Sequence, residues 1–153
     1  MTIRFEVRER FECSPQRLFS TLVDLRQAGE WMPDFVSMEQ LTAGEFGVGT
    51  VFRETRSFRG KKTVEEFQVT TFAPPGRLDL VADGTRGSTG RGEYRFSYEL
   101  AADGAATSLV LRIEAHGMSF WLELLAPFFK IVFRKILAKD HAALRAYLAR
   151  SAA

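Results

Sequence analysis

Three charged side chains stand among phenylalanines in the middle of this chain. Glu54 and Arg56 lie in the run VFRETRSF, and Glu65 in the run KKTVEEFQV. An arginine opposite a carboxylate can form a paired, hydrogen-bonded site. If buried, the group must be paired, because a lone interior charge is costly. Three roles are open to it: a salt bridge at the wet end of a sheet, a polar anchor that orients a ligand in an apolar pocket, or a carboxylate that moves a proton beside an arginine.

Other residues able to do chemistry are sparse. Two histidines, His116 and His141, and the single Cys13 have no zinc-like spacing. His116 falls on the outward side of a strand by alternation, and His141 lies on the last helix between Lys139 and Arg145. Cys13 sits between a strand end and a helix start and reads as a structural thiol. A lone cysteine forms no internal disulfide, which suits a reducing, cytoplasmic setting. Asp24, Glu30 and Asp34 lack the pattern of a calcium loop. Gly84, Gly87, Gly90 and Gly92 lack the Lys-Ser/Thr ending of a phosphate loop, and there is no Gly-x-Ser-x-Gly element. No catalytic residue is assigned, and neither a metal nor a cofactor is expected.

The elements that must position these residues follow from periodicity. Ile3, Phe5, Val7 and Phe11 alternate with charged residues as in a strand with one buried face. Ser14-Pro15 then opens a helix of about ten residues through Leu18, Phe19, Leu22 and Leu25. A short helical turn at residues 30–33 follows. Strands are expected at residues 36–41, 50–59, 62–72, 77–82, 93–100 and 107–116. The Pro74-Pro75-Gly76 turn ends one of them, since proline has no N–H for the ladder. Residues 119–149 form a long helix with an apolar stripe of Trp121, Leu125, Phe128, Phe129, Val132, Ile136, Leu144 and Leu148. Pro127 should kink it or begin its regular part. Consecutive strands joined by short turns make an antiparallel sheet, and a helix apolar on one side must cover it. The class is α+β, in one domain over residues 1–153.

Hairpin geometry assigns faces. A turn at Gly60-Lys61 pairs Arg56 with Glu65, Glu54 with Phe67 and Phe52 with Val69. A turn at Asp103-Gly104 pairs Tyr98 with Leu109 and Phe96 with Leu111. Glu54, Arg56, Phe58, Glu65 and Phe67 then share the inner face with Tyr94, Phe96 and Tyr98. A register error of one residue would turn them all outward.

Cys13-Ser14-Pro15, Trp31-Met32-Pro33, the run GVGTVF at residues 47–52, Pro74-Pro75-Gly76-Arg77-Leu78, Asp103-Gly104 and the long last helix come in an order that resembles the START-like (SRPBCC) superfamily. The likeness is to its polyketide cyclase/dehydrase-type branch and covers essentially the whole chain. It implies a helix-grip fold: a curved antiparallel sheet of about seven strands wrapped around the C-terminal helix, enclosing a cavity for apolar ligands.

Composition agrees with a folded domain. Hydrophobic residues make up 46% and charged residues 26%, and the formal charge is +2. This balance does not point to nucleic acid, which needs clustered basic residues. Fourteen phenylalanines suit an apolar wall, because the side chain has no polar handle. The N-terminus lacks the apolar core of a signal peptide, and no stretch suits a membrane span.

The first functional expectation is a carrier or binding module for a small or medium hydrophobic molecule. Its wall would comprise Phe52, Phe58, Phe67, Tyr94, Phe96, Tyr98, Trp121, Leu125, Phe128 and Val132, with Arg56, Glu54 and Glu65 at the guest's polar end. The second is a polyketide cyclase, aromatase or dehydratase, which the resemblance suggests. The third is an interaction module using the basic face Lys130, Arg134, Lys135 and Lys139. Whether the chain is an enzyme, and whether it forms a homodimer, both stay open.

Overall fold

The computed structural model describes residues 2–151. Strand β1 (Thr2–Phe11) leads into helices α1 (Pro15–Val23) and α2 (Ala28–Trp31). The chain then runs through β2 (Phe35–Gln40), β3 (Val51–Phe58), β4 (Lys61–Ala73), β5 (Arg77–Asp83), β6 (Glu93–Asp103) and β7 (Ala106–His116). Helices α3 (Phe120–Leu124) and α4 (Ala126–Ser151) follow. The seven strands form one antiparallel sheet in the order β1-β7-β6-β5-β4-β3-β2. This is the expected helix-grip architecture: the strands from β2 to β7 form a meander, and β1 joins at its far edge.

Local chemistry explains the element ends. The Ser14 hydroxyl accepts from the Arg17 N–H at 3.2 Å, and Pro15 occupies the first turn. The Thr107 hydroxyl donates to the Cys13 carbonyl at 2.7 Å, which ties the start of α1 to β7. Cys13 is buried, and loss of water pushes its thiol up, away from thiolate chemistry. β4 ends at Ala73 and β5 begins at Arg77, with the double proline in the turn. Register shifts in β4 between Val69 and Thr71, and in β2 between Phe35 and Ser37, mark irregularities of the kind that bend a sheet.

Both hairpins differ from expectation by two residues. Phe58 pairs with Lys61, so the β3–β4 turn is Arg59-Gly60, with φ of 49° and 78°. Positive φ at both central residues is what a tight hairpin of right-twisted strands needs. Asp103 pairs with Ala106, which makes Gly104-Ala105 the other turn. Phe52 therefore opposes Phe67, Glu54 opposes Glu65, Arg56 opposes Thr63 and Tyr98 opposes Leu111. A shift of two preserves every face, so the expected inner side stands.

The inner face packs on α4 unevenly. Leu144 and Leu148 join Phe11, Leu18, Leu109 and Val69 in the main core. Leu137 packs with Phe5, Val7, Leu111 and Ile113. Nearer the start of α4, Phe129 and Phe133 stack with each other and meet Phe96 and Phe5. Phe96 in turn contacts Phe67, which stacks on Phe52 at 5.3 Å.

The expected single helix over residues 119–149 is two helices that meet at Leu125, with Pro127 in the first turn of α4. The buried stripe is narrower than the apolar pattern. Trp121 (70% exposed), Phe128 (66%), Leu125 (55%) and Val132 (40%) face water and line no interior wall. Phe129 and Phe133 take that role, being in phase with Leu137 and His141 at four-residue steps. Phe58 is also exposed, because it ends β3 at the hairpin tip.

Candidate functional site

One ion cluster joins the sheet to the helix. Arg56 of β3 donates to both carboxylate oxygens of Asp140 on α4, Nη1 to Oδ1 at 2.8 Å and Nη2 to Oδ2 at 2.9 Å. Its Nε donates to Glu54 Oε1 on the same strand face. All three side chains are largely shielded from water. The bidentate fork fixes the guanidinium in plane and in register with one helical turn.

The environment shifts the charges. Glu54 is held above its ordinary value, first by loss of water and then by the nearby negative charges of Asp140 and Glu65; Arg56 opposes the shift. Arg56 is pushed up: burial opposes this, and its two carboxylate partners outweigh the burial. The Tyr98 phenol is also pushed up, by burial first and then by Glu54 and Asp140.

A cavity of about 100 Å³ opens against this cluster. Leu22, Leu25, Ala28 and Trp31 from the α1–α2 region, Met38, Phe52, Leu78 and Tyr98 from the sheet, and Leu137 and Leu144 from α4 line it. The indole N–H of Trp31 is buried without an acceptor. A larger hollow of about 530 Å³ lies on the outer sheet face. That hollow is lined by paired charges such as Arg77–Asp79 and Arg112–Glu99, the mark of a solvated face rather than a ligand chamber.

The expected polar group is thus partly rearranged. Glu54 and Arg56 come together, but Glu65 does not pair with Arg56. It accepts from the Thr89 hydroxyl at 2.8 Å, and its other oxygen is buried without a partner. The glycine loop closes over it: a Cβ on Gly87 would stand 2.2 Å from that oxygen. The cause is the register, which sets Glu65 opposite Glu54 and gives Arg56 a threonine neighbour. Phe52, Phe67, Tyr94, Phe96 and Tyr98 do lie inward, though Phe67 and Phe96 pack into the aromatic column, Tyr94 packs with Ile3, Ala82 and Ala115, and none of these three lines the chamber.

Sequence reasoning missed Asp140 and Glu9, and placed His141 on the last helix without anticipating its burial. His141 is buried beside Phe11, with Nδ1 3.6 Å from Glu9 Oε1, and Arg145 donates to the other Glu9 oxygen. Adjacent helix residues therefore reach opposite parts of the sheet, Asp140 to β3 and His141 to β1. A signal existed: Glu9 interrupts the apolar series Val7–Phe11, and Asp140 and His141 fall between Leu137 and Leu144 on the inward stripe. His116 lies outward as expected, near Thr2 and Glu114. On the basic face, Lys139 bonds Asp34 and Arg134 donates to the Glu6 carbonyl. Among the described residues no group of three or more His, Cys, Asp or Glu side chains is placed to hold a metal ion, and no helix is long and apolar enough to cross a membrane.

The fold recurs among solved structures. An aromatase/cyclase, ZhuI from Streptomyces sp. R1128, superposes with a TM-score of 0.79 at 13% identity, covering 100% of this chain and 97% of that one. A protein from Rhodobacter sphaeroides gives 0.76 at 18% identity, covering 97% and 93%. The major latex-like protein 151 of Panax ginseng gives 0.72 at 13%, covering 95% and 97%. At such identities the likeness shows the fold alone. A search among curated proteins finds no significant sequence match. Residues 2–149 match the family model described as polyketide cyclase/dehydrase and lipid transport, and the chain belongs to that family, within the START-like superfamily.

Proposed function

We propose that this protein binds an elongated, mainly apolar molecule by its neutral polar end. The observation that carries the reading is Arg56, held by Glu54 and Asp140 at the wall of a mainly apolar chamber that Asp24 and His141 also line. The cluster has one cation and two acidic groups, so it offers no net positive charge to a carboxylate guest. It suits a hydroxyl or carbonyl.

Size supports an elongated guest. The chamber of about 100 Å³ is small beside the roughly 300–1,000 Å³ of common ligand pockets. Past Arg56, β3 continues to the exposed Phe58, while α4 runs back from Asp140 to the exposed Ile136 and Val132. Two strand residues and one helical turn advance by similar lengths. A guest with its head at Arg56 would lay its tail along this open seam. Apolar burial would supply affinity at roughly 25 cal/mol per Å² before ordering costs.

A neutral fluorescent probe, N-phenyl-1-naphthylamine, tests the reading. The probe should bind the purified chain, and dodecanol should displace it better than dodecanoate. Leu25→Trp, which fills the chamber, should weaken dodecanol binding about tenfold or more while the fold remains intact. Equal displacement by alcohol and acid, or indifference to Leu25→Trp, would remove the proposed anchor.

A second reading, acid–base catalysis on a polyketide-like carbonyl compound, is favoured by one observation. Glu54 holds its proton more tightly than a free carboxyl and lies beside Arg56 and Tyr98. Turnover of a polycarbonyl substrate that survives Glu54→Gln unchanged would rule it out.

A further inference from the structure

Between residues 120 and 131, six large apolar side chains face water. Phe120, Trp121, Leu124, Leu125, Phe128 and Ile131 are each 55–70% exposed. A contiguous apolar face of this kind marks a contact surface more often than bare solvent exposure. It is distinct from the ligand chamber, since the inward positions of the same helix are taken by Phe129 and Phe133.

The charge around this face is predominantly basic. The β3–β4 hairpin tip, the glycine loop and the helix pair lie at one end of the sheet. Ser88 bonds Val64, Gly84 bonds Gly92, and Gly92 lies against the 116–118 segment that enters α3. Residues 59–62, 84–92 and 118–136 carry eight basic and one acidic side chain, in a chain of 21 basic and 19 acidic. The rest of the protein is therefore acidic.

An apolar face within a basic rim matches the boundary of an anionic bilayer. Aromatic and aliphatic side chains enter the acyl edge, while Lys and Arg meet the headgroup phosphates. A second copy of the chain fits poorly, because a two-fold contact would set each basic rim against the other. We propose that the α3–α4 face docks this protein on anionic phospholipid surfaces, lying in the interface and not crossing it. The proposal needs only this surface and stands whether or not the chamber takes a guest. If both hold, docking turns the open seam toward lipid.

The test floats the full chain with vesicles of phosphatidylcholine containing roughly one third phosphatidylglycerol, against vesicles of phosphatidylcholine alone. Co-flotation with the anionic vesicles should be about tenfold stronger or more, and should fall as salt rises. Phe120→Ser with Trp121→Ser should weaken it about a hundredfold. Lys130→Glu with Lys135→Glu should abolish the preference for anionic lipid. Phe120, Trp121 and Lys135 are exposed and Lys130 is half-buried; an unchanged melting temperature confirms that the variants are folded. The proposal fails if the wild-type chain floats with neither vesicle. It also fails if light scattering shows a dimer that the Phe120→Ser, Trp121→Ser pair dissolves while lipid binding is unaffected. Loss of flotation with N-phenyl-1-naphthylamine binding intact would leave the carrier reading standing by itself.

Discussion

The first half of α4 is the more apolar by type, yet the second half is the one that the sheet buries more fully. The C-terminal half sends Leu144, Tyr147 and Leu148 inward and buries them, with Leu137 just before it. The N-terminal half, with α3 before it, exposes Phe128, Ile131 and Trp121. The difference lies in what stands opposite. Around Leu144 the helix meets β1, β7 and the α1 region at once. Around Phe128 only the inward phenylalanines find strands, and the other apolar side faces nothing. Stability should therefore concentrate in one half and contact with other molecules in the other.

The sharpest way to break this contrast is a matched pair of truncations. Leu144→Ala should cost about 2–5 kcal/mol, because Leu144 is fully buried and its loss leaves a cavity. Phe128→Ala should change stability by about 0.5 kcal/mol or less, although it removes a larger side chain. Denaturant unfolding of both variants measures the ratio. Comparable costs would mean that the N-terminal half is packed in solution.

The ion cluster comes next in size, and it marks the border between the halves. Arg56→Ala leaves Glu54 and Asp140 facing each other with their shared cation gone. Breaking such a partly shielded group should cost about 2–3 kcal/mol. Arg56→Ala combined with Glu54→Gln and Asp140→Asn should recover part of that loss, since no uncompensated charge remains. If the triple variant is no more stable than the single one, the cost comes from lost packing of the arginine stem and not from charge.

The same contrast explains what could be read from the chain alone. Sheet faces were legible because strand period is two: the hairpin registers moved by two residues and Phe52, Glu54, Phe67 and Tyr98 still landed inward. Helix phase was less legible. When apolar residues cover more than half a helix, as from Trp121 to Ile136, periodicity cannot choose the inward side; the sheet chooses. Asp140 was hidden for a related reason. On a helix an acid among lysines reads as surface, and only its partner, a β3 arginine 84 residues away, shows it to be interior. Glu9 was the more accessible signal, as a charge at an inward strand position.

The smallest expected effect separates the two sides of the grip by pH. Glu54 is held above its ordinary value of 4.5 by burial and by Asp140 and Glu65. Folding thus favours its protonated form: this contribution is complete below 4.5 and is lost as pH rises through the raised value. His141 is held below its ordinary 6.5 by burial, against the opposing pull of Glu9 and Asp140 and with support from Arg145. Folding favours the neutral ring, so this contribution is complete above 6.5 and is lost as pH falls through the lowered value. Melting temperatures of Glu54→Gln and His141→Gln, each set against wild type from mildly acidic to neutral pH, should diverge in opposite senses. The Glu54→Gln variant should gain on wild type as pH rises. The His141→Gln variant should gain on wild type as pH falls, because it has no ring to charge beside Phe11. If His141→Gln tracks wild type at every pH below 6.5, the ring is already solvated or paired with Glu9 in its charged form. The β1 side of the grip would then be an ion pair like the β3 side, and the two sides of the sheet would hold α4 by the same means.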